Sequence, residues 1–450
     1  MKKQQLKKKN LIRKIITKFL TISGRTPEIS KTREMETLST REIEKDTLSK
    51  DKSNSPVGKP ASDSLKCPYC FSTDFVKRGL RKKKHEQVQL YLCKTCNRTF
   101  TAHLTKGKHY PLAIIFDGIS LYNLGYSLEQ TCRILKNRSS EGLVTSPTAL
   151  SNWLAEFDEL CRFSRMREYA LKKYSPKEMT VYSTLAHRQL FRYRFHRAKC
   201  ELIIDEDFKH RRFGPLQEFL EMVPGECPHQ YFQKGLRASE VPITFSKKEM
   251  IVRAKQNYAT RLCETVLQSV KERKKRHDAL QRFMLFNDSV TVATEIPVYL
   301  TKDDLEHMQT QLGFEMYQKN SKKKNGELKK AMEDLKLFPK AKLPKLITGH
   351  IDLIQIRNGQ IHILDYKPKA EKERPIEQLT LYAMALSRLT GLRMFEFKCA
   401  WFDENDYFEF YPLHVLYKPK KRLYRKNVIT NEGIYSINKL KEKIERIRPI

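Results

Sequence analysis

The stretch LITGHIDLIQIRNGQIHILDYKPK, residues 346–369, holds two apolar, β-branched segments separated by a single Asn-Gly pair. An Asn-Gly pair between two such segments is the strongest short-range indication of a β-hairpin with a two-residue turn. With Asn358 and Gly359 in the turn, counting outward along both strands places Asp352 opposite Asp365. The hairpin therefore carries two carboxylates at positions where a buried sheet would hold isoleucine or valine.

The alternation of side chains along a strand places both aspartates on an apolar face, to which Lys367 also points. Four isoleucines share that face: Ile354, Ile356, Ile361 and Ile363. Directly opposed side chains lie about 5 Å apart, and like charges there destabilise a sheet. Such a pair needs a proton or a cation between its members, and a divalent, oxygen-seeking metal would turn the clash into a site. A slipped register with one aspartate facing water is the alternative.

The composition indicates a folded, strongly basic chain. Its 450 residues are enough for two to four domains, and 87 Lys+Arg against 52 Asp+Glu give a net charge of +35. A basic surface of this size predicts a nucleic-acid partner, with a lysine-rich composition that serves solubility as the alternative. No apolar run approaches the roughly 18 residues of a membrane span. We therefore expect a DNA partner, no membrane insertion, and a cytoplasmic (nucleoid) or nuclear protein that is not secreted.

Both ends of the chain are predicted to lie outside folded domains. Residues 1–64 are polar, charged and poor in aromatic residues, which predicts a disordered basic tail and linker. Its start, MKKQQLKKKNLIRKIITKFL, is basic and amphipathic, and fits a nucleic-acid-binding arm, a membrane-surface helix or a frayed tail, but not a secretory signal. Residues 418–450 form a basic tail that would add non-specific phosphate contacts.

Two CxxC pairs predict a zinc ribbon over residues 65–104. The four cysteines are Cys67, Cys70, Cys93 and Cys96. Each pair supplies two thiolates from one tight turn, and two pairs complete a closed tetrahedral Zn2+ site. The other cysteines are scattered, which fits a reducing compartment better than a disulfide framework. The spacer carries a basic cluster that we expect to contact DNA: Arg81, Lys82, Lys83 and Lys84.

Residues 108–162 show the periodicity of three short helices. PLAIIFDGISLYNLG predicts a helix that ends at Gly125, and SLEQTCRILKNR a second with Ser127 and Gln130 as a capping box. TSPTALSNWLAEFDEL predicts a third, with Ser146 as its N-cap. This arrangement predicts a helix-turn-helix DNA-binding domain, with a plain three-helix packing unit as the alternative. Base contacts would come from the exposed start of the third helix: Thr148, Ser151 and Asn152.

The motifs CPYC…YLCKTCNRTF and GYSLEQTCRIL…TSPTALSNWL together resemble the N-terminal half of insertion-sequence transposases. The resemblance implies that both modules hold DNA. Such transposases continue into an RNase-H-like domain with three spaced acidic residues. ELIIDEDF offers Asp205 on a possible strand, but no second and third carboxylate follow at matching positions. Residues 163–245 are instead predicted to form a helical connector without an assigned function.

Residues 246–417 are predicted to form an α/β domain. A long helical segment is followed by the strand SVTVATEIPVYL, with Glu295 at its centre, by a lysine-rich helical insert and by the hairpin. The helix RPIEQLTLYAMALSRLTG and the strands of RMFEFKCAWFDENDYFEFYPL complete the order. Three short pieces in this order resemble the PD-(D/E)XK nuclease superfamily, in particular its RecB-like exonuclease branch: GHID at 349–352, DYK at 365–367 and QLTLY at 378–382.

The resemblance implies a restriction-endonuclease-like core, a mixed sheet flanked by helices, within a multidomain α+β protein that also contains the zinc ribbon and the helix-turn-helix. The proline of the superfamily name is absent before Asp352, as is usual in this branch. Some members bind an iron–sulfur cluster through one cysteine before the core and three after it. Here only Cys399 lies after the core, so no cluster is expected. No GxxxxGK(S/T) loop is present, so we expect no ATP-driven motor.

The hairpin carboxylates are predicted to bind Mg2+ or Mn2+. Asp352 and Asp365 would be hard oxygen ligands, with the backbone carbonyl of Tyr366 between them and water completing the shell. Glu295 is a candidate third ligand or a partner of the ligands, with a solvated strand residue as the alternative. The metal would lower the pKa of a bound water and neutralise charge on the scissile phosphate.

Four further residues are assigned roles around this metal. Lys367 can orient or deprotonate the water and stabilise charge on the phosphate. Gln378 and Tyr382 are four residues apart, hence on one helical face, and can order the substrate strand or Lys367. His350 faces Lys367 across the hairpin by the same register and could assist it. His277, in a basic helical run, is interpreted as a surface residue.

These predictions describe a DNA-binding, Mg2+/Mn2+-dependent deoxyribonuclease linked to mobile elements or to defence and repair. The zinc ribbon and helix-turn-helix would dock a DNA site, and a homodimer or a partner protein would fit the same scheme. One alternative is a DNA-binding regulator with an inactive nuclease core. The other is a transposase whose acidic triad includes Asp205.

Overall fold

The computed structural model describes most of the chain beyond residue 64. The described residues are 65–83, 85–101, 108–138, 144–161, 164–245, 251–254, 257–270, 272–318, 337–339, 342–417, 427–430, 433–436 and 446–448. All of them fall within one unit, Ala61–Ile450. The predictions for residues 1–64 and for Lys84 lie outside the described residues. Among the described helices, none is long and apolar enough to cross a membrane.

The cysteine-rich segment forms a small antiparallel sheet, as the ribbon pattern predicts. Its strands, in spatial order, are β1 (Phe75–Lys82), β2 (Gln87–Cys93) and β3 (Thr99–Phe100). The rings of Phe75, Tyr91 and Phe100 pack together, with Phe75 edge-on to Tyr91 at 5.2 Å between centroids. This aromatic cluster and the cysteines form the core of a module too small to bury a larger one.

Three helices follow, with the ends that the sequence predicts. They are α1 (Leu112–Asn123), α2 (Leu128–Arg138) and α3 (Pro147–Glu156). The chain leaves α1 through Gly125, whose φ of 98° suits glycine. Ser127 and Gln130 exchange the two hydrogen bonds of a capping box, and the Ser146 hydroxyl accepts from the Ala149 N–H at 3.1 Å.

These three helices share a core with the helices and sheet of the C-terminal half, whereas the sequence predicts a separate domain over 108–162. The ring of Phe116 lies edge-on to Phe283 at 5.1 Å, and Asn123 donates a hydrogen bond of 2.8 Å to Asn287. The physical reason lies in α1, which is largely apolar and buries eight of its twelve residues, a wider apolar face than a helix on the surface of a small domain presents. The structure does not show a helix-turn-helix as such.

A mixed sheet forms the centre of the molecule. Its strands, in spatial order, are β4 (Thr180–His187), β5 (Gln189–His196), β9 (Thr291–Thr301), β11 (Leu346–Arg357), β12 (Gln360–Tyr366), β13 (Phe397–Phe402), β14 (Tyr407–Phe410) and β8 (Ile251–Ala254). A short strand, β6 (Leu236–Arg237), runs parallel to β11. Strands β12 and β13 are parallel, and the other neighbours along the main path are antiparallel.

Helices cover both faces of the sheet. The remaining described helices are α4 (Ser164–Lys173), α5 (Arg197–Glu206), α6 (Gly214–Glu226), α7 (His229–Lys234), α8 (Tyr258–Leu267), α9 (Arg276–Asn287), α10 (Lys302–Thr310), α11 (Ile376–Thr390) and α12 (Pro412–Leu416). Two minor sheets join β7 (Ile243–Thr244) to β10 (Tyr317–Gln318), and β15 (Asn427–Thr430) to β16 (Gly433–Ser436) and β17 (Arg446–Arg448). This is the sheet with flanking helices expected for a restriction-endonuclease-like core.

The segment predicted as a helical connector, 163–245, contributes strands to this sheet as well as helices. Its β4–β5 hairpin extends the sheet through the pairing of β5 with β9. Asp205, placed on a possible strand by the sequence, lies in the helix α5. Within the long helical segment predicted from residue 246, the described residues form the strand β8 and then the helices α8 and α9. Both differences arise because pairing with strands distant in the sequence decides which short segments become strands.

The β11–β12 hairpin has the predicted turn and register. Asn358 and Gly359 both have positive φ, 53° and 70°, as a type I′ turn requires. The pairs run from Arg357 with Gln360 to Leu353 with Leu364. The four isoleucines Ile354, Ile356, Ile361 and Ile363 lie in one core cluster, and Leu353 and Leu364 lie in the other. The register therefore carries the aspartates toward each other as the sequence predicts.

Candidate active site

Two carboxyl groups meet at the end of the β11–β12 hairpin. Asp352 lies one residue beyond the pair Leu353–Leu364, and Asp365 is 4% exposed. The two carboxyl groups are close enough for each to perturb the pKa of the other. Burial and the charge of Asp352 raise the pKa of Asp365 well above its ordinary value. The two carboxyl groups are thus held together in a poorly hydrated place, which is the arrangement that the sequence predicts.

His277 contacts this cluster, which its interpretation as a surface residue did not anticipate, although its side chain is 41% exposed. From the start of α9, its Nε2 lies 2.6 Å from Oδ2 of Asp352. Burial disfavours the charged imidazole, but Asp352 outweighs it and raises the pKa of His277 to about 9. Burial likewise disfavours the charged form of Asp352, and His277 reverses this and lowers its pKa to about 2. The contact joins residues 75 positions apart, and no local pattern signals it.

Glu295 completes a set of three donors. The antiparallel register of β9 and β11 places it between the pairs Ile351–Ile296 and Leu353–Thr294, which is opposite Asp352. One oxygen each from Glu295 and Asp352 and a nitrogen of His277 lie within 4.8 Å of one another, close enough to hold a metal ion. Burial and Asp352 raise the pKa of Glu295 to about 7.

The backbone at Glu295 is strained. Its φ is 54° in the middle of a strand, a conformation that costs a residue with a side chain about 1–2 kcal/mol. The carboxylate is also fixed by a hydrogen bond of 2.7 Å from Gln281 Nε2. Strain of this kind is retained where a side chain must be aimed at a functional position. This geometry favours the prediction that Glu295 is a candidate metal ligand over the alternative that it is a solvated strand residue.

Lys367 lies at the edge of the same cluster. Its Nζ is 3.0 Å from Oδ2 of Asp365. Burial disfavours the ammonium form, but Asp365 and Asp352 outweigh it and raise the pKa of Lys367. Tyr366, predicted to offer its carbonyl oxygen to a metal, donates its backbone N–H to Asp352 Oδ2 at 3.2 Å. That contact fixes the carboxylate, and the carbonyl ligand stays a prediction.

The helix α11 brings Gln378 and Tyr382 to this end of the sheet, as predicted. The Gln378 amide donates a hydrogen bond of 2.8 Å to the Tyr382 hydroxyl. The Tyr382 ring lies directly against Gly349, where an added Cβ would come within 2.2 Å of Cε1. Gly349 is therefore required by close approach of this ring, which explains the glycine of the GHID motif.

The side chain of His350 contacts β4 and β5, and its assistance to Lys367 stays a prediction. The Nε2 of His350 is 2.8 Å from Nδ1 of His187, and its ring stacks on Phe191 with centroids 3.5 Å apart. Burial and the charge of His187 lower the pKa of His350 to about 3. The contact with His187 was not predicted because the strand β4, which contributes His187, was assigned to a connector.

The four predicted zinc ligands converge at the ribbon. Two Sγ–Sγ distances are 3.6 Å, for Cys67 and Cys96, and 3.4 Å, for Cys70 and Cys93, and all four sulfurs lie within 4.8 Å of one another. Tetrahedral ligands at the usual Zn–S distance of about 2.3 Å are separated by about 3.8 Å. The cluster is thus compatible with a zinc ribbon.

Of the described residues predicted to contact DNA, all but Lys83 are exposed. Arg81 and Lys82 are exposed on β1, and Lys83 lies 4.0 Å from Glu86. On α3, the side chains of Thr148, Ser151 and Asn152 are exposed. Their contribution to DNA binding stays a prediction.

Comparison with known proteins identifies the C-terminal half. The model of the PD-(D/E)XK nuclease superfamily matches residues 208–445, which is more than half of the chain. The match begins upstream of residue 246, within the segment predicted as a connector. No curated protein and no solved structure matches the chain.

Proposed function

The chain belongs to the PD-(D/E)XK nuclease superfamily, and we propose that it is a divalent-metal-dependent deoxyribonuclease. One observation carries the proposal. Two carboxyl groups, those of Asp352 and Asp365, lie together beside an imidazole, a third carboxylate and a lysine. Superfamily membership indicates the reaction class, cleavage of a phosphodiester bond, and this cluster offers the place for it.

The donor atoms of the cluster fit a hard or borderline divalent cation. Carboxylate oxygens from Asp352, Asp365 and Glu295 suit Mg2+ and Mn2+, and the imidazole of His277 adds a ligand that favours Mn2+. Asp352 and Asp365 bring two carboxyl groups to one buried place, where a bound cation would balance their negative charge. A bound divalent ion would lower the pKa of a ligated water and neutralise charge on the scissile phosphate. The Tyr366 carbonyl is the further ligand that we propose.

The other side chains have roles that their contacts support. Lys367, held 3.0 Å from Asp365, would stabilise the negative charge that develops on the phosphate and orient the attacking water. The hydrogen-bonded pair of Gln378 and Tyr382 would position Lys367 or the substrate strand. Because the Tyr382 ring rests on Gly349, the helix α11 and strand β11 hold these groups in register with Asp352.

The substrate that we propose is DNA, docked by the basic N-terminal modules. The exposed Arg81 and Lys82 of the ribbon and the exposed start of α3 lie outside the catalytic cluster and are free to contact phosphates or bases. The net charge of +35 supports a polyanionic substrate. Kinship with the RecB-like branch, and a link to mobile elements, defence or repair, remain part of this proposal.

Cleavage by the purified full-length protein tests the function. Labelled single- and double-stranded DNA are incubated with Mg2+, Mn2+ or EDTA, and binding is measured in parallel. We expect the wild type to cut only with a metal, and Asp365→Ala and Lys367→Ala to bind DNA without cutting it. Asp205→Ala serves as the matched control, because this exposed carboxylate lies on α5, and it should cut normally.

Two results would favour the alternatives. If every variant binds DNA and none cuts any substrate, the protein is a DNA-binding regulator with an inactive core. If Asp205→Ala abolishes cleavage and Asp365→Ala does not, the reaction belongs to a transposase-type triad.

A further inference from the structure

A second cluster of metal-binding side chains lies outside the candidate active site. His187 ends the strand β4, and Cys227 and His229 flank Pro228 between α6 and α7. One donor atom from each of His187, Cys227 and His229 lies within 4.8 Å of the other two. From these contacts we propose that the three side chains bind a zinc ion, at a site separate from the ribbon and from the nuclease cluster.

The distances are close to those of a tetrahedral zinc site. Nε2 of His187 lies 2.8 Å from Nδ1 of His229 and 3.8 Å from Sγ of Cys227. Around zinc, two nitrogen ligands are separated by about 3.3 Å, and a nitrogen and a sulfur by about 3.6 Å. A movement of about half an ångström, mostly at the exposed His229, is enough to admit the ion.

The backbone places the two neighbouring ligands on the same side. Pro228 has φ −78° and ψ 76°, and the N–H of His229 donates to the carbonyl of Cys227 at 2.9 Å. These are the features of an inverse γ-turn, whose φ the proline ring fixes. The third ligand is anchored by its neighbour Arg188, which donates to the carbonyl oxygens of Gln233 and Gly235. The ligands are therefore positioned before any ion binds.

His187 has the support that zinc-bound histidines usually have. Its Nδ1, on the far side of the ring from the ion, is 2.8 Å from Nε2 of His350. A hydrogen bond at the second ring nitrogen fixes the orientation and tautomer of a metal-bound imidazole. The ring of His187 also stacks on Phe232 with centroids 4.0 Å apart and planes at 9°. Both contacts leave Nε2 aimed at Cys227 and His229.

The ligand chemistry separates this site from the nuclease cluster. Two imidazoles and a thiolate are the nitrogen and sulfur ligands that zinc prefers, whereas Mg2+ takes oxygen ligands. His229 is exposed and His187 is buried, so a fourth position is open to water. Through His350, two residues before Asp352, the ion would tie the β4–β5 hairpin and the α6–α7 turn to the strand of the active site.

Zinc content per chain tests the proposal directly. The full-length protein is expressed with zinc, dialysed free of loose ions and analysed by mass spectrometry for metals, with folding followed by circular dichroism. We expect two zinc ions in the wild type, one in Cys227→Ser, one in Cys96→Ser and none in the double variant. Cys132→Ser, a half-buried cysteine in α2, is the matched control and should retain two.

A second measurement identifies the ligand and guards against misfolding. Cys96→Ser loaded with Co2+ should retain a thiolate-to-cobalt absorption band, and adding His229→Ala, a change at an exposed position, should weaken or abolish it. The proposal is overturned if Cys227→Ser keeps the wild-type zinc content, or if Cys96→Ser contains no zinc and shows no cobalt band. In either case the three side chains form a hydrogen-bonded relay without an ion. Neither result depends on whether the protein cleaves DNA.

Discussion

Gly349→Ala places a methyl group where the ring of Tyr382 now lies. The new Cβ would come within 2.2 Å of Cε1, and within 3.0 Å of both Cζ and the hydroxyl oxygen. Because carbon atoms in contact lie about 3.5–4.0 Å apart, the ring must retreat by about 1.3 Å or more. Tyr382 is 7% exposed and its hydroxyl is bonded to Gln378, so the ring has little room. Overpacking of this kind lowers the free energy of unfolding by about 1–3 kcal/mol.

The assay is denaturant unfolding of the metal-free protein, followed by DNA cleavage under conditions where the variant is folded. We expect the denaturant midpoint of unfolding to fall. The cleavage rate should fall as well, because displacing the Tyr382 ring also displaces Gln378, to which it is hydrogen-bonded. Gly225→Ala is the matched control, since it lies in α6 with nothing within 4 Å of the new Cβ. An alanine in that helix should be neutral or slightly stabilising.

A double variant makes the test specific. Tyr382→Leu removes the ring atoms that collide with the new methyl group. Gly349→Ala should therefore lower the free energy of unfolding less in the Tyr382→Leu variant than in the wild type. We expect a coupling free energy of about 1–2 kcal/mol between the two changes. Two results would refute this explanation of the GHID motif. Either Gly349→Ala unfolds at the wild-type denaturant midpoint, or the losses in free energy of unfolding caused by the two substitutions are additive. In both cases the Tyr382 ring does not rest on Gly349.

Three further predictions concern the same half of the chain. Glu295→Gly should be more stable than Glu295→Ala by about 1 kcal/mol in urea unfolding, because only glycine tolerates the φ of 54° without strain; equal stabilities would contradict the strain. His277→Ala should slow Mn2+-dependent cleavage by about 10–100-fold, as the loss of a ligand or of its support does, and an unchanged rate would remove His277 from the site. Gly359→Ala should lower the free energy of unfolding by about 1 kcal/mol in the same urea assay, since φ is 70° in the turn; no loss would contradict the type I′ turn.

Local sequence patterns predicted the features that depend on neighbours in the chain. The Asn-Gly turn, the register of the hairpin and the capping box at Ser127 all follow from contacts over a few residues. The approach of Asp352 to Asp365 follows from that register, because the period of a strand is two and the turn fixes the count. These predictions needed no knowledge of the rest of the fold.

Contacts between distant segments were not predictable in the same way. His277 reaches Asp352 across 75 positions, and nothing in its basic helical surroundings distinguishes it from a surface residue. The β4–β5 hairpin was assigned to a connector because its strands become part of the sheet only by pairing with β9. Missing β4 also hid His187, and with it the partner of His350 and the second cluster of metal-binding side chains.

The core that the N-terminal helices share with the C-terminal half was likewise not predicted from the sequence. The sequence gives the three helices and their caps, but packing is decided by which apolar faces meet. Phe116 of α1 contacts Phe283 of α9, and the two residues lie in segments assigned to different domains. The largely apolar sequence of α1 is the signal that was available, because it leaves only a narrow polar face for the surface of a separate domain.

Binding of Mn2+ tests the central claim most directly. Electron paramagnetic resonance counts the free ion during titration of the full-length, zinc-loaded protein, and of Asp352→Asn and Asp365→Asn variants beside it. The account predicts a Mn2+ site in the wild type that is lost or greatly weakened in both variants, with DNA binding retained. Equal Mn2+ binding by all three proteins would show that the paired carboxylates do not hold the metal, and would contradict the proposed active site.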